Sequence, residues 1–133
     1  MNIISVALGV ATVTILGMIW YNPRVFGSRW AQGVGLAEEM KAQTKPVSSI
    51  IYAGMLIGAT LWSLALGWLL LKTNSQTISD SLTLGLIAWL GISMPIIANA
   101  RWWESRPWSV VGINGAYQLL STLSIVFIHF FLG

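Results

Sequence analysis

The sequence predicts an all-α fold, an integral membrane four-helix bundle with short loops that forms one transmembrane domain over residues 1–133. Two observations predict it. The 7 basic and 4 acidic side chains make up only 8% of the chain, against about a quarter in soluble domains. These charges also leave four charge-free windows, each long enough to cross a hydrocarbon core of about 30 Å as a helix. The windows are residues 1–23, 46–71, 81–100 and 107–133, which place the spans near 2–21, 47–71, 81–100 and 109–131.

The first span is expected to stay in the mature protein. Met1-Asn2 supplies no basic stretch, and the apolar run ends in Trp20-Tyr21 rather than at a small-residue cleavage site. The loop after it is too long for a tight turn. Its segment from Ser28 to Thr44 repeats apolar residues near helical spacing, which predicts a short helix in the membrane interface.

The three loops differ in charge. Loops one and three carry six of the seven Lys and Arg residues, and loop two carries one. Because basic loops stay in the cytoplasm, this bias predicts that loops one and three are cytoplasmic and that both termini lie outside. Aromatic and basic side chains crowd the same edge and are expected to anchor it where lipid meets water. These anchors are Trp20, Tyr21, Arg24, Trp30, Arg101, Trp102, Trp103, Arg106 and Trp108.

Small residues predict where helices meet. Gly54, Gly58 and Ala65 lie on one face of the second span. Inside lipid, where burying Leu gains nothing, such residues let two backbones approach closely. The stripe therefore predicts close packing within the chain or between copies of it, and a homo-oligomer is the expected state.

Pro95 is expected to kink the third span. It removes one backbone donor and leaves the carbonyl of Gly91 in need of a partner. At 100° per residue, Pro95 shares an arc with Ser81, Gly85 and Asn99. We therefore expect this arc to face the bundle.

The fourth span is polar along one face. Its amides and hydroxyls would lack hydrogen bonds in lipid, so this face is expected to look into protein or into a wet cavity. Asn99 of the third span lies at a comparable depth. The predicted polar path or cluster consists of Asn99, Asn114, Gln118, Ser121 and Thr122. His129 is expected near the outer interface rather than in a proton relay.

Two motif blocks resemble a known family. The first is Gly17-Met-Ile-Trp-Tyr-Asn-Pro-Arg-Val-Phe-Gly-Ser-Arg-Trp30, and the second joins Glu104-Ser-Arg-Pro107 to Ile113-Asn-Gly-Ala-Tyr-Gln118. They resemble the bacterial membrane family catalogued as domain of unknown function 1761, over the whole chain. The resemblance implies a small four-span protein, here expected in the bacterial inner membrane, and it transfers no catalytic residue.

Composition argues against several functions. With no Cys and one His, a clustered His and Cys metal site cannot be assembled within one chain, and no phosphate-binding Gly-rich loop, HExxH or GxSxG motif occurs. All four carboxylates lie in loops. We therefore expect no enzyme, no cofactor and no metal. The net charge of +3 follows from topology, so the expected partner is the lipid bilayer rather than nucleic acid.

Two functions remain open. One is an oligomeric channel or facilitator for a small solute or ion of unknown identity, whose subunits share a wet path lined by amides and hydroxyls. The alternative is a non-transporting membrane interaction or scaffold protein. In that case the same polar residues only hold helices together, each contributing about 0.6–2 kcal/mol.

Overall fold

The computed structural model of the protein describes residues 1–42 and 48–133. Every regular element in these residues is helical, and four helical stretches are long and apolar enough to cross a membrane. The prediction of an all-α fold with four spans is therefore confirmed. The predicted start of the second span at residue 47, the basic residue Lys45 and the Thr44 end of the interfacial segment lie outside the described residues.

Seven α-helices and two π turns make up the described parts of the chain. In a π turn, i→i+5 hydrogen bonds replace the i→i+4 bonds of the α-helix. One π turn precedes the second α-helix, and the other interrupts the third span. The helices are Ile3–Trp20 (α1), Ser28–Val34 (α2), Ala37–Ala42 (α3), Ser49–Lys72 (α4), Ile78–Ala88 (α5), Met94–Trp102 (α6) and Trp108–Leu132 (α7), and the π turns are Pro23–Gly27 and Trp89–Ser93.

Side-chain caps fix where the spans begin. The side chain of Asn2 accepts a hydrogen bond from the Ile4 amide at 2.8 Å and starts α1. Thr77 accepts from the Asp80 amide at 3.0 Å, which satisfies one of the free donors in the first turn of α5. The third span therefore begins at Ile78, three residues earlier than the charge-free window.

The fourth span, α7, lies at the centre of the bundle. It packs against α1, α4, α5 and α6, and the short helix α2 also rests on it. α1 runs antiparallel to α7: the Asn2 amide donates to the carbonyl of Leu132 at one end, and the indole N–H of Trp20 donates to the carbonyl of Ile113 at the other. We call the first end, which holds both chain termini, the terminal end, and the second the tryptophan end.

A compact apolar core joins three of the four spans. Val13 of α1, Leu66 and Leu70 of α4, and Ile125 and Val126 of α7 are buried together. Ile125 and Val126 have no exposed surface at all. Side chains of α5, including Leu82 and Leu84, pack around this cluster from outside.

The third span packs on α7 along its whole length, but different faces of its two halves look inward. Ser81 and Gly85 are buried, as their arc predicts, but Pro95 and Asn99 are exposed. The expectation for Pro95 and Asn99 is therefore wrong. The π turn Trp89–Ser93 explains the difference, because it holds one residue more than an α turn and rotates the following helix by about 100°.

A different residue of α6 takes the inward position. A Cβ built on Gly115 of α7 would lie 2.7 Å from the sulfur of Met94. α6 and α7 therefore meet where the thioether of Met94 lies over Gly115. Sequence periodicity had instead placed the amide of Asn99 on this inward face. The indole N–H of Trp89, in the π turn, donates to the carbonyl of the same Gly115 at 2.8 Å and fixes this register.

The predicted interfacial helix exists, but it is broken in two. Gly35 ends α2 with a φ of 76°, a left-handed conformation that glycine adopts without steric cost. α2 does not lie free in the interface. Ala31 is buried, and a Cβ on Gly33 would collide with Val110 of α7. Gly33 is therefore a point of close approach rather than a weak position in an isolated helix.

Candidate functional site

The five residues of the predicted polar path lie in different surroundings. Ser121 and Thr122 are fully buried, Asn114 and Gln118 are half-buried, and Asn99 is exposed. Ser121 and Thr122 face protein, which is one of the two surroundings predicted for the polar face of α7. Asn99 does not join them, because the π turn has rotated it outward.

Asn114 is held by the end of the first span. The hydroxyl of Tyr21 donates to Oδ1 of Asn114 at 2.6 Å. The ring of Tyr21 also meets the rings of Trp30 and Tyr117 edge to face, with centroids 5.9 and 5.4 Å apart. We call these four residues, Tyr21, Trp30, Asn114 and Tyr117, the tyrosine cluster. They come from both motif blocks, so the two blocks are brought together in space.

Tyr117 fastens the cluster to the middle of α1. Its hydroxyl donates to the carbonyl of Val13 at 2.9 Å. Gly17, one turn further along α1, makes room for the ring, because a Cβ there would lie 3.1 Å from the Tyr117 hydroxyl. A main-chain carbonyl in lipid that gains a second donor is a specific point of attachment between two helices.

Several predicted interface anchors make tertiary contacts. The guanidinium of Arg106 donates to the carbonyl of Val34, the last residue of α2, at 2.7 Å. A cation at a helix C-terminus also interacts favourably with the helix dipole. Arg101 donates to the carbonyl of Arg106 and lies 5.6 Å from the ring of Trp108. The bond from Arg106 to Val34 ties loop one to loop three, and Arg101 braces loop three itself.

The remaining anchors are exposed as an interfacial role requires. Trp103 is 84% exposed and Trp102 is 64% exposed. Trp102 still meets Trp108 edge to face, with centroids 5.2 Å apart. Arg24 is exposed after the end of α1. Amphipathic rings in such positions suit the boundary between acyl chains and headgroups.

The glycine stripe of α4 faces outward. Nothing within the described residues lies within 4 Å of a Cβ built on Gly54 or Gly58. Ala65 is also exposed, while Ser63 and Leu66 on the opposite side are buried. The stripe therefore does not pack against another helix of the same chain, which was one of the two predicted alternatives. The second alternative, packing between two copies of the chain, stays a prediction.

Gln118 makes no hydrogen bond to the other described residues. The sequence predicts that Pro95 leaves the carbonyl of Gly91 in need of a partner, and an amide of the polar face of α7 could have supplied it. Gly91 is instead exposed, on the outer side of the π turn. The cluster of Asn99, Asn114 and Gln118 is not formed, since each has a separate environment.

A second polar group, at the terminal end, was not predicted from the sequence. His129 is 6% exposed, and its Nε2 lies 3.0 Å from the hydroxyl of Ser63 in α4. Ser63 also donates to the carbonyl of Val6 in α1 at 3.3 Å. The imidazole is buried and joins three spans, contacts that the expected position near the outer interface did not include. The sequence feature that could have indicated this group is that Ser63 and His129 each lie on a polar face of their helix.

Three further hydroxyl groups are buried in the bundle. Ser5, Ser121 and Thr122 have no hydrogen-bond partner among the described residues. Among the described residues, the fully buried polar side chains are therefore hydroxyls and one imidazole, and the amides of Asn114 and Gln118 are half-buried. In the parts of the chain that the structure describes, no three His, Cys, Asp or Glu side chains are grouped to hold a metal ion.

Comparison with known proteins gives one match. The model of a family described as "Protein of unknown function (DUF1761)" matches residues 4–130, a range that contains both motif blocks. The resemblance stated from these blocks is thereby confirmed. No curated protein and no solved structure matches the chain.

Proposed function

Because the chain belongs to the DUF1761 family, whose description gives no activity, we propose from its own contacts that it is a non-transporting membrane interaction protein that assembles with further copies of itself. It acts without a catalytic centre and without nucleic acid. One observation carries the proposal: the glycine face of α4 is open, and it lies opposite the face by which α4 packs into its own bundle.

The polar contacts support a structural role for the interior. Tyr21, Tyr117, Trp20 and Trp89 each direct their donor to a group on another helix. Such bonds hold helices in register, at about 0.6–2 kcal/mol each. A solute path would need these donors and acceptors to face a shared wet lumen. Asn99, a member of the predicted path, is exposed on the outside of the bundle.

The open face of α4 supports self-association. Gly54 and Gly58 are four residues apart and lie about 180° and about 140° from the buried Ser63. The chain's own fold does not require glycine at either position, because no atom approaches them. In lipid, two such faces gain van der Waals contact when their backbones approach.

The proposal includes an orientation in the bacterial inner membrane. The tryptophan end carries loops one and three with their basic residues, and the positive-inside rule places that end in the cytoplasm. Both termini then lie outside. The shared placement of loops one and three follows from the contact between Arg106 and Val34.

Gly58→Leu tests the assembly. We expect the variant to fold like the parent, since the site is open, and to lose the oligomer, seen as a lower mass in nanodiscs or mild detergent. Gly112→Leu is the matched control, because Gly112 is also exposed with nothing within 4 Å of its Cβ, but lies on α7. We expect it to keep the parent's mass.

Two results would contradict the proposal. An unchanged mass for Gly58→Leu would show that the α4 face contacts lipid only. Passage of a small solute or ion through liposomes that contain the parent protein, abolished by Gln118→Leu without loss of folding, would establish the channel function instead.

A further inference from the structure

A cavity of about 170 Å³ lies at the terminal end of the bundle, between the ends of all four spans. It is separate from the tyrosine cluster and from the open face of α4. Its polar lining comes from Ser75 in loop two, Ser81 in α5 and His129 in α7, and Met1 and Gly67 lie beside them. No Asp or Glu side chain lines it among the described residues.

The hydrogen bonds of Ser63 determine which nitrogen of His129 carries the proton. The Ser63 hydroxyl donates its one proton to the carbonyl of Val6. It must then accept from Nε2 of His129, at 3.0 Å, so Nε2 holds the proton in the neutral imidazole. The lone pair is therefore on Nδ1. Histidines that ligate metals are typically oriented this way, with the other ring nitrogen donating to a fixed acceptor.

The thioether of Met1 and the ring edge of His129 that carries Nδ1 both approach the bare side of Gly67. A Cβ built on Gly67 would lie 2.7 Å from the sulfur of Met1 and 2.8 Å from Nδ1 of His129. Both donor atoms thus converge on the bare side of Gly67, and any side chain at this position would push them apart. Glycine at residue 67 is what lets a nitrogen and a sulfur donor meet at the cavity.

We propose that His129 and Met1 form a binding site for a soft monovalent metal ion, Cu(I). A thioether selects Cu(I) over harder cations, and imidazole is also a suitable ligand for copper. Calcium and magnesium require several oxygen ligands, chiefly the carboxylates of Asp and Glu, and no such side chain lines the cavity among the described residues. The neutral ring and the thioether do not neutralise the bound ion, so its full charge is removed from water. This desolvation costs less for monovalent Cu(I) than for a divalent cation.

The test is a titration of the full chain in nanodiscs with Cu(I), under anaerobic reducing conditions and in competition with a chromogenic Cu(I) chelator. We expect one Cu(I) per chain. His129→Gln keeps an amide donor for Ser63 but removes the ligand, and it should abolish binding. Gly67→Ala should also abolish binding, because its methyl group would occupy the space where Met1 and His129 approach each other. Ser63→Ala releases the imidazole and should weaken affinity by about tenfold or more.

Met55→Leu is the matched control, because Met55 is an exposed thioether on α4, remote from the cavity. It should leave the affinity unchanged. Copper K-edge spectra of selenomethionine-labelled protein should show one imidazole and at least one selenium as neighbours of the metal. Full affinity in His129→Gln, or a spectrum without imidazole, overturns the proposal. If His129→Gln does not fold, the parent's spectrum and the Ser63→Ala titration decide the question.

Discussion

Tyr21 connects more of the tryptophan end than any other side chain of the tyrosine cluster. Its hydroxyl binds Asn114, and its ring contacts Trp30 and Tyr117. The sequence identified it as an interface anchor, because aromatic residues near the end of a span are common there. Residue type and depth are enough for that prediction, but the partner is 93 positions away and cannot be inferred without the packing of α1 on α7.

Tyr21→Phe should destabilise the bundle modestly. The change removes the hydrogen bond to Asn114 and keeps the ring contacts, so we expect a loss of about 0.6–2 kcal/mol in the free energy of unfolding. Thermal or denaturant unfolding in micelles measures it. Tyr52→Phe is the control, since Tyr52 is exposed on α4. An equal effect in both variants would show that the bond to Asn114 contributes nothing.

Gly9→Ala should be more harmful than Gly54→Ala. A Cβ on Gly9 would lie 2.5 Å from the Ser63 hydroxyl, so that hydroxyl must turn away from Val6 and His129 or α1 and α4 must separate, at a cost of roughly 1–3 kcal/mol. Gly54 faces open space, and alanine there gains helix propensity of up to about 1 kcal/mol. The two variants are compared in the same unfolding assay. Equal stability would contradict the close approach at Gly9.

At the scale of whole elements, the number of apolar helices long enough to span a membrane was predictable and the turn inside the third span was not. Charge-free windows report length and composition, which set where a helix can lie in lipid. A π turn forms where the rotated helix gains contacts with its neighbour that stabilise it. Here Trp89 gains a hydrogen bond to Gly115, and Met94 packs against the same residue. Pro95 indicated a local irregularity, but not that Asn99 would be rotated outward.

Deleting Gly91 tests the role of the π turn. Removal of one residue should restore α-helical spacing and rotate α6 back by about 100°, so Met94 would leave Gly115. The chain has no Cys, so disulfide crosslinks between engineered pairs of Cys residues can be detected without background. A Met94→Cys and Gly115→Cys pair should crosslink in the parent and fail to crosslink in the deletion. A Gly85→Cys and Thr122→Cys pair, placed before the turn, should crosslink in both.

At the scale of the whole molecule, charge bias determines orientation. Arg24→Glu with Lys45→Glu, together with added Lys in loop two, should turn some molecules around, because the basic loops no longer mark the cytoplasmic side. A Gly133→Cys label reports the side of the terminal end. In the parent it should react from outside. Labelling from the cytoplasm would reject the proposed orientation.

The central position of α7 has a consequence for the order in which the protein is made. α7 is the last of the four spans to leave the ribosome, yet α1, α4, α5 and α6 all pack against it. Membrane helices insert individually before they associate. The first three spans must therefore wait in the bilayer as loosely associated helices, with Ser63 and Trp89 lacking their α7 partners, until the chain from Trp108 onward arrives. Synthesis adds about 5–20 residues per second, so for at least a second or so each new molecule passes through a stage at which membrane chaperones and proteases can recognise its unpaired polar groups.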